Sequence, residues 1–326
     1  MIKYVKPLFW LVGVLLLVWA FKKVDLASVG HLITAMGYRF IVVLLPFFLV
    51  TAAHTVAWKL TFPPREIEAV PLWRLWRIRQ IGEAFNTITP LGTVGGEPVK
   101  AQLLKEHHSL SLKQGLAAGV VTRTTNLMGL TVFLTAGTVL IFNSKAVTDT
   151  FKHSSLLGLV IFSTLILLFL LFQIKGGLNV LAAWFAKLPF GGIVKKSLEH
   201  LEILSHNMSG YYRDYPNRCG KSIGYMVLGW VFGILELYVI LWALGHPLSF
   251  ADLWIIEALL QLIRAGSFFI PLSIGAQESG LVVIFVAMGM TPDLGLAVSL
   301  VRRIKDLTWV GVGLMLGAGV ARPANG

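Results

Sequence analysis

The sequence predicts an all-α polytopic membrane protein built on an inverted-topology repeat, with about six full spans and two re-entrant, broken helix pairs. Three observations carry this expectation. Of 326 residues, 56% are hydrophobic and 13% are charged. A soluble domain carries about 25% charged residues, so this chain could not coat a water-facing surface of its size. The apolar residues fall in long runs, and a membrane helix needs about 20 of them. Finally, the chain matches itself when shifted by 181 positions.

The first apolar run covers residues 8–21. Lys3 and Lys6 precede it and Val18-Trp19-Ala20 would serve as a cleavage site, but Lys22 and Lys23 follow at once. It reads as an uncleaved anchor rather than a signal peptide. Further full spans are expected at 40–60, 115–142, 156–172, 223–244 and 295–317. The stretches 72–104 and 253–288 are apolar but interrupted by Gly, Pro and polar residues, and read as broken pairs.

With both termini in the cytoplasm and each broken pair returning to its own side, most basic residues fall inside, among them Lys3, Lys6, Arg74, Arg77 and Arg79. Lys22, Lys23, Arg39, Lys145 and Lys152 fall outside. That bias fits the positive-inside rule for an inner-membrane protein. It also explains the net charge of +12 without a nucleic acid partner. Between the repeats, Val194, Leu198, Leu201, Leu204 and Met208 recur at helical spacing among Lys and Glu. This segment reads as an amphipathic interfacial helix, a connector in preference to a lipid-entry lip.

The repeat is marked by residues that chance rarely aligns. Leu72-Trp73 falls on Leu253-Trp254 and Gln80 on Gln261. P-L-G-T-V-G-G-E (90–97) lies over P-L-S-I-G-A-Q-E (271–278). At a shift of 180, Arg123 then falls on Arg303 and Asn126 on Asp306. The single membrane domain, 1–326, thus divides into repeat unit 1 (38–142), a connecting span and cytoplasmic segment (143–218), and repeat unit 2 (219–320). One span between the repeats inverts the second, an arrangement typical of transporters.

Pro90 and Gly92 would break the first pair, with Gly95 and Gly96 at its tip; Pro271 would break the second, with Ser273, Gly275 and Gln277 at its tip. Each second half-helix would begin near Glu97 or Glu278, its free N–H groups favouring an anion. Charge inside a span is costly and marks function by default. Arg123 and Arg303 are therefore the expected ligands of an anionic lipid head group. Glu97 and Glu278 would either pair with them or carry a coupling proton. The structural alternative is that these carboxylates only cap half-helices and bridge to Arg. Arg303 and Asp306, spaced i,i+3, can pair locally, with Asn126 as the equivalent of Asp306.

No metal site or cofactor is expected: His107 and His108 are adjacent and point to different helix faces, and Cys219 is the only cysteine. Neither a P-loop nor an H-E-x-x-H motif occurs, and no Ser/His/Asp order can be assigned, so the chain is not expected to be an enzyme. An intramembrane lipid-modifying enzyme using Glu97 or Asp306 is one alternative. A scaffold serving lipid-synthesis enzymes is another.

The run T-P-x-G-x-x-G-G-E-P-x-[KR], here Thr89 to Lys100, with Gly275–Glu278 and the later Arg303, resembles the membrane region of lysylphosphatidylglycerol synthases. F-I-P-L-S-I-G-A-Q-E-S-G and the following L-V-R-R-I-K-D-L look most like the hopanoid-associated branch of that flippase-like family. The resemblance covers almost the whole chain and implies translocation of membrane lipids across the inner membrane. It does not imply aminoacyl transfer, since the soluble synthase domain is not matched. Thr93-Val94 between the glycines, and Gln277 in place of Gly96, depart from the pattern. A head group would pass along the tips while the acyl tails stay in lipid, driven by a lipid gradient or a proton.

Overall fold

A computed structural model describes residues 26–88, 95–108, 110–144, 147–175, 177, 208–267, 270 and 273–320. The expected anchor at 8–21, nearly all of the amphipathic segment, and Pro90, Gly92 and Pro271 lie outside the described residues. Among the described residues the chain is helical, with no strand.

In chain order the helices are α1 (Leu26–Met36), α2 (Arg39–Leu60), the single turn α3 (Pro64–Ile67), α4 (Leu72–Ile88), α5 (Gly96–His108), α6 (Leu112–Asn143), α7 (Asp149–Ile174), α8 (Pro216–Ala243), α9 (Phe250–Gly266), α10 (Ala276–Ala287) and α11 (Pro292–Val320). Four of these, α2, α6, α7 and α8, are long and apolar enough to cross a membrane. Helix α11 has the length, at 29 residues, but carries Arg302, Arg303, Lys305 and Asp306 within its apolar run. The two interrupted stretches each become two helices, α4 with α5 and α9 with α10, as their Gly and Pro content requires. Helices α1 and α3 were not foreseen.

The order α2, α4, α5, α6 recurs as α8, α9, α10, α11, the repeat read from the sequence. Compactness divides the chain differently. One unit lies within Met1–Val50, Thr131–Phe162 and Trp230–Trp309, the other within Thr51–Leu130, Ser163–Gly229 and Val310–Gly326. Each unit therefore takes residues from both repeats.

In the unit holding α4 and α5, Leu75, Ile78, Ile81 and Ala84 line one face of α4, at helical spacing. Trp58, Phe62, Ile67, Leu75, Ile78 and Leu104 form its principal apolar cluster. Helices α4 and α5 meet almost backbone to backbone: a β-carbon on Gly96 would overlap the Gly82 carbonyl. Small residues at helix crossings are how membrane helices gain packing, since lipid supplies no hydrophobic drive between them. The C-terminal carbonyls of α2 are satisfied from afar. The Arg218 guanidinium donates to the Lys59 and Leu60 oxygens, both at 3.2 Å, and the Tyr211 hydroxyl donates to Leu60 at 3.1 Å. A cation at a helix C-terminus also opposes the macrodipole.

In the other unit, α9 starts at Ser249, whose Oγ accepts from the Asp252 N–H at 3.2 Å. It packs on α10 through side chains, with Ile263 against Gly280. Trp254 stacks on Phe133, ring centroids 5.1 Å apart, and donates to the Phe133 carbonyl at 3.1 Å.

Candidate functional site

Two ion-pair networks occupy equivalent positions in the repeat, one in each compact unit. In the first, Glu97 opens α5 and is held by two cations. Lys100, one turn on, donates to its Oε1 at 2.7 Å, and Arg123 of α6 donates to the same oxygen through Nη2 at 2.9 Å and Nε at 3.2 Å. Gly119 faces the other carboxylate oxygen; a β-carbon there would lie 2.7 Å from Glu97 Oε2. Lys100 is itself buried, with Nζ 3.3 Å from Glu83 and 5.6 Å above the Trp58 ring. Glu83 also meets Arg79 at 3.8 Å and accepts from Asn86 at 3.1 Å. Asn86 then accepts the Gly96 N–H at 2.6 Å, so the first donor of α5 is satisfied from within the hairpin.

Three cations, Arg79, Lys100 and Arg123, thus share two carboxylates, Glu83 and Glu97. The Arg123 side chain keeps 38% of its surface exposed, against 6% for Lys100. Among the described residues the network has one more cation than carboxylate, and the partly accessible Arg123 guanidinium has the chemistry that accepts a phosphate or carboxylate bidentately.

In the second network, Glu278 sits in the first turn of α10. Its Oε2 accepts the Gly275 N–H at 2.7 Å, and Arg303 of α11 donates to its Oε1 at 2.8 Å. Arg303 also reaches the Ser273 carbonyl at 3.3 Å. Gly275 has φ of 80° and Ser273 of 50°. The turn into α10 thus uses the left-handed region twice, and glycine enters it without the cost Ser273 bears. Gln277 is buried; it accepts from Arg264 at 2.7 Å and donates to Ser299 at 3.3 Å. Deeper, Arg302 donates to Glu257 at 2.6 Å and lies 3.8 Å from Glu236. Lys305 donates to Glu236 at 2.8 Å and meets Asp306 at 3.0 Å. Here Arg264, Arg302, Arg303 and Lys305 stand among Glu236, Glu257, Glu278 and Asp306, four against four.

The sequence residues Glu97 and Arg123, and Glu278 and Arg303, are therefore brought together as pairs. Gly95 lies in the turn before α5, and Gly96 and Gly275 direct their N–H groups to Asn86 and Glu278. The local charge pair expected at Asp306 is corrected: Arg303 salt-bridges to Glu278 and Asp306 to Lys305. The Asn126 side-chain oxygen is buried without a hydrogen-bond partner among the described residues. Arg303 reaches past Asp306 because the buried Glu278, 3% exposed, stands to lose more if left without a cation.

Sequence reasoning missed Lys100 and Asn86 as network members, although Lys100 closes the first motif. It also missed Glu236 and Glu257, carboxylates within apolar stretches that the cost of buried charge should have singled out. Among the described residues no group of His, Cys, Asp and Glu could hold a metal.

A family described as lysylphosphatidylglycerol synthase TM region matches residues 8–314. Three relatives from Methanothermobacter thermautotrophicus, each called UPF0104 membrane protein, are similar to this chain. One is 25% identical over 79% of this chain and 78% of its own length. Another is 24% identical over 71% and 70%, and a third 28% identical over 68% and 66%. No solved structure matches the chain.

Proposed function

The chain belongs to the family of lysylphosphatidylglycerol synthase transmembrane regions, and on that premise we propose that it carries lipids with an anionic head group between the leaflets of the cytoplasmic membrane. The observation that carries this reading is the surplus cation of the first network, with Arg123 as its exposed member. A head-group phosphate arriving at Arg123 displaces Glu97 from the guanidinium. Glu97 is not stranded by the exchange, because Lys100 holds the same oxygen. Burying a carboxylate without a partner would otherwise cost several kcal/mol.

Helix lengths support reading α4–α5 and α9–α10 as re-entrant hairpins. Helix α5 has 13 residues and α10 has 12. At about 1.5 Å per residue these reach about 20 Å and 18 Å, short of the roughly 30 Å hydrocarbon core. Their charged tips then stop at membrane depth, where broken backbone and ionisable side chains serve a passage. Placing the basic ends of the loops inside puts both termini in the cytoplasm. Translocation makes and breaks no covalent bond, and no residue of either network is assigned a catalytic role.

The test is reconstitution of the full chain in liposomes with head-group-labelled phospholipids and a membrane-impermeant quencher. The native chain exposes anionic lipid from the inner leaflet, and Arg123→Ala slows this about tenfold or more, the rate equivalent of about 1.4 kcal/mol. Absence of exchange with phosphatidylglycerol, aminoacylated and hopanoid-type lipids alike overturns the reading.

A further inference from the structure

The opposite end of the α4–α5 pair carries a second concentration of positive charge that the tip network does not use. Arg74 and Arg77, near the start of α4, both lie over the Trp73 ring, at 5.7 Å and 5.3 Å from its centroid. With His107 and His108 from the end of α5 they line a cavity of about 370 Å³. Among the described residues no carboxylate lines it. The Nε of Arg77 is buried and has no hydrogen-bond partner among the described residues.

Ile78, Ile81 and Leu103 give this cavity an apolar side. Ile81 and Leu103 line it and also line a neighbouring groove of about 400 Å³. That groove is bounded by Phe85, Val99, Leu314 and Ala318, with Glu106 as its one charged residue among those described. Glu106 is engaged by the Gln102 amide. A basic, aromatic pocket that shares lining residues with an apolar groove offers both chemistries of a phospholipid, of which a soluble anion would use only the first.

Trp254, the equivalent of Trp73, is half-buried against Phe133 and structural. Trp73 is 55% exposed and supports two guanidiniums instead. Aromatic rings at this level suit the head-group layer of a membrane.

We propose that the Trp73–Arg74–Arg77–His107–His108 pocket binds the phosphate of an anionic phospholipid, with one acyl chain lying in the groove between Ile81, Leu103 and Leu314. This lipid site is separate from the Arg123 network and does not depend on the translocation reading.

The experiment is lipid retention by the purified full chain, measured by native mass spectrometry in mild detergent. The probes are phosphatidylglycerol, phosphatidylcholine and inorganic phosphate. The native chain should hold phosphatidylglycerol in preference to phosphatidylcholine. Arg74→Gln with Arg77→Gln should weaken that retention about tenfold, and Arg213→Gln, at an exposed arginine outside the pocket, should leave it intact. Arg74 is exposed, so Arg74→Gln alone serves as a variant that keeps the fold, with a smaller loss in the same direction. Val99→Trp, which fills the groove, should lower retention of long-chain lipid more than that of a short-chain analogue. Unchanged retention in the double variant overturns the proposal. So does inorganic phosphate competing as well as the lipid, which would make this a soluble-anion site. Equal loss of retention with Arg213→Gln would reduce the effect to net charge and overturn the proposal as well.

Discussion

The two networks share one pair and little else. Glu97 with Arg123 and Glu278 with Arg303 occupy equivalent repeat positions and form equivalent contacts. Around the first pair, the positions matching Arg302 and Lys305 are Thr122 and Thr125, whose hydroxyls bond to backbone carbonyls one turn back on α6. Around the second, Leu281 stands where Lys100 would be, Gln277 where Gly96 would be, and Ser299 where Gly119 would be. Among the described residues the first network holds one more cation than carboxylate, and its Arg123 is partly exposed. The second neutralises itself and buries Arg302 and Lys305 to 6% and 4% exposure. The same ion pair stands in both halves while its surroundings differ; on the proposed reading the first receives an anion and the second holds helices together.

If that division is right, charge removal should act on stability in the second network and on transport in the first. The largest effect is expected from Arg302→Met. It leaves Glu257 and Glu236 short of a buried partner, a loss of about 3–5 kcal/mol, read as a large drop in unfolding temperature of the detergent-solubilised chain. The equivalent Thr122→Ala removes a hydroxyl bonded to the Ala118 carbonyl and to Thr61, about 1 kcal/mol. Equal losses at the two positions would erase the comparison.

Next come the crossings. Gly96→Ala drives a β-carbon into the Gly82 carbonyl, which is backbone and cannot rotate away. Overpacking of this kind costs about 1–3 kcal/mol and should separate α4 from α5, visible as new proteolytic cleavage in the hairpin. Gly280→Ala meets side chains rather than backbone, Ile263 at 3.1 Å and Leu260 at 3.6 Å, which can shift, so its effect should be smaller.

Transport separates the pairs in the opposite sense. Lys100→Met removes the surplus cation and the second holder of Glu97. It should lower lipid exchange by about tenfold while Glu97 remains bridged to Arg123. Arg303→Lys should change exchange less than Arg123→Lys does. A larger transport defect at Arg303 would make the second network the binding one.

Much of this arrangement was legible in the sequence, for a physical reason. Pro and Gly concentrate at 90–96 and 271–275 because a helix cannot continue there, and charge inside apolar runs is rare enough to point at Arg123 and Arg303. The repeat order also followed directly from aligned Trp, Gln and Glu. Glu236 and Glu257 were harder because the repeat aligns them with Thr55 and Trp76. A reading guided by what the halves share passes over what only one half has. Asn86 was invisible for another reason: its partner is the Gly96 N–H, and which donor a helix start leaves open is decided by how closely α4 approaches.

The smallest effect tests the corrected pairing at Asp306. Spacing alone allows Asp306 to serve Arg303, one turn before it, and in that case Asp306→Asn would loosen the Arg303–Glu278 contact. The structure gives Asp306 to Lys305, whose Nζ is also held by Glu236. The Asp306 side chain is 38% exposed, and an ion pair at that exposure contributes about 0–1 kcal/mol. Asp306→Asn also installs the residue that the other repeat carries at Asn126. It should therefore shift the unfolding temperature little and leave lipid exchange unchanged, while Glu236→Gln, which takes a carboxylate from both Lys305 and Arg302, should be markedly worse. Reversal of that order would return Asp306 to Arg303 and draw the second network closer in kind to the first.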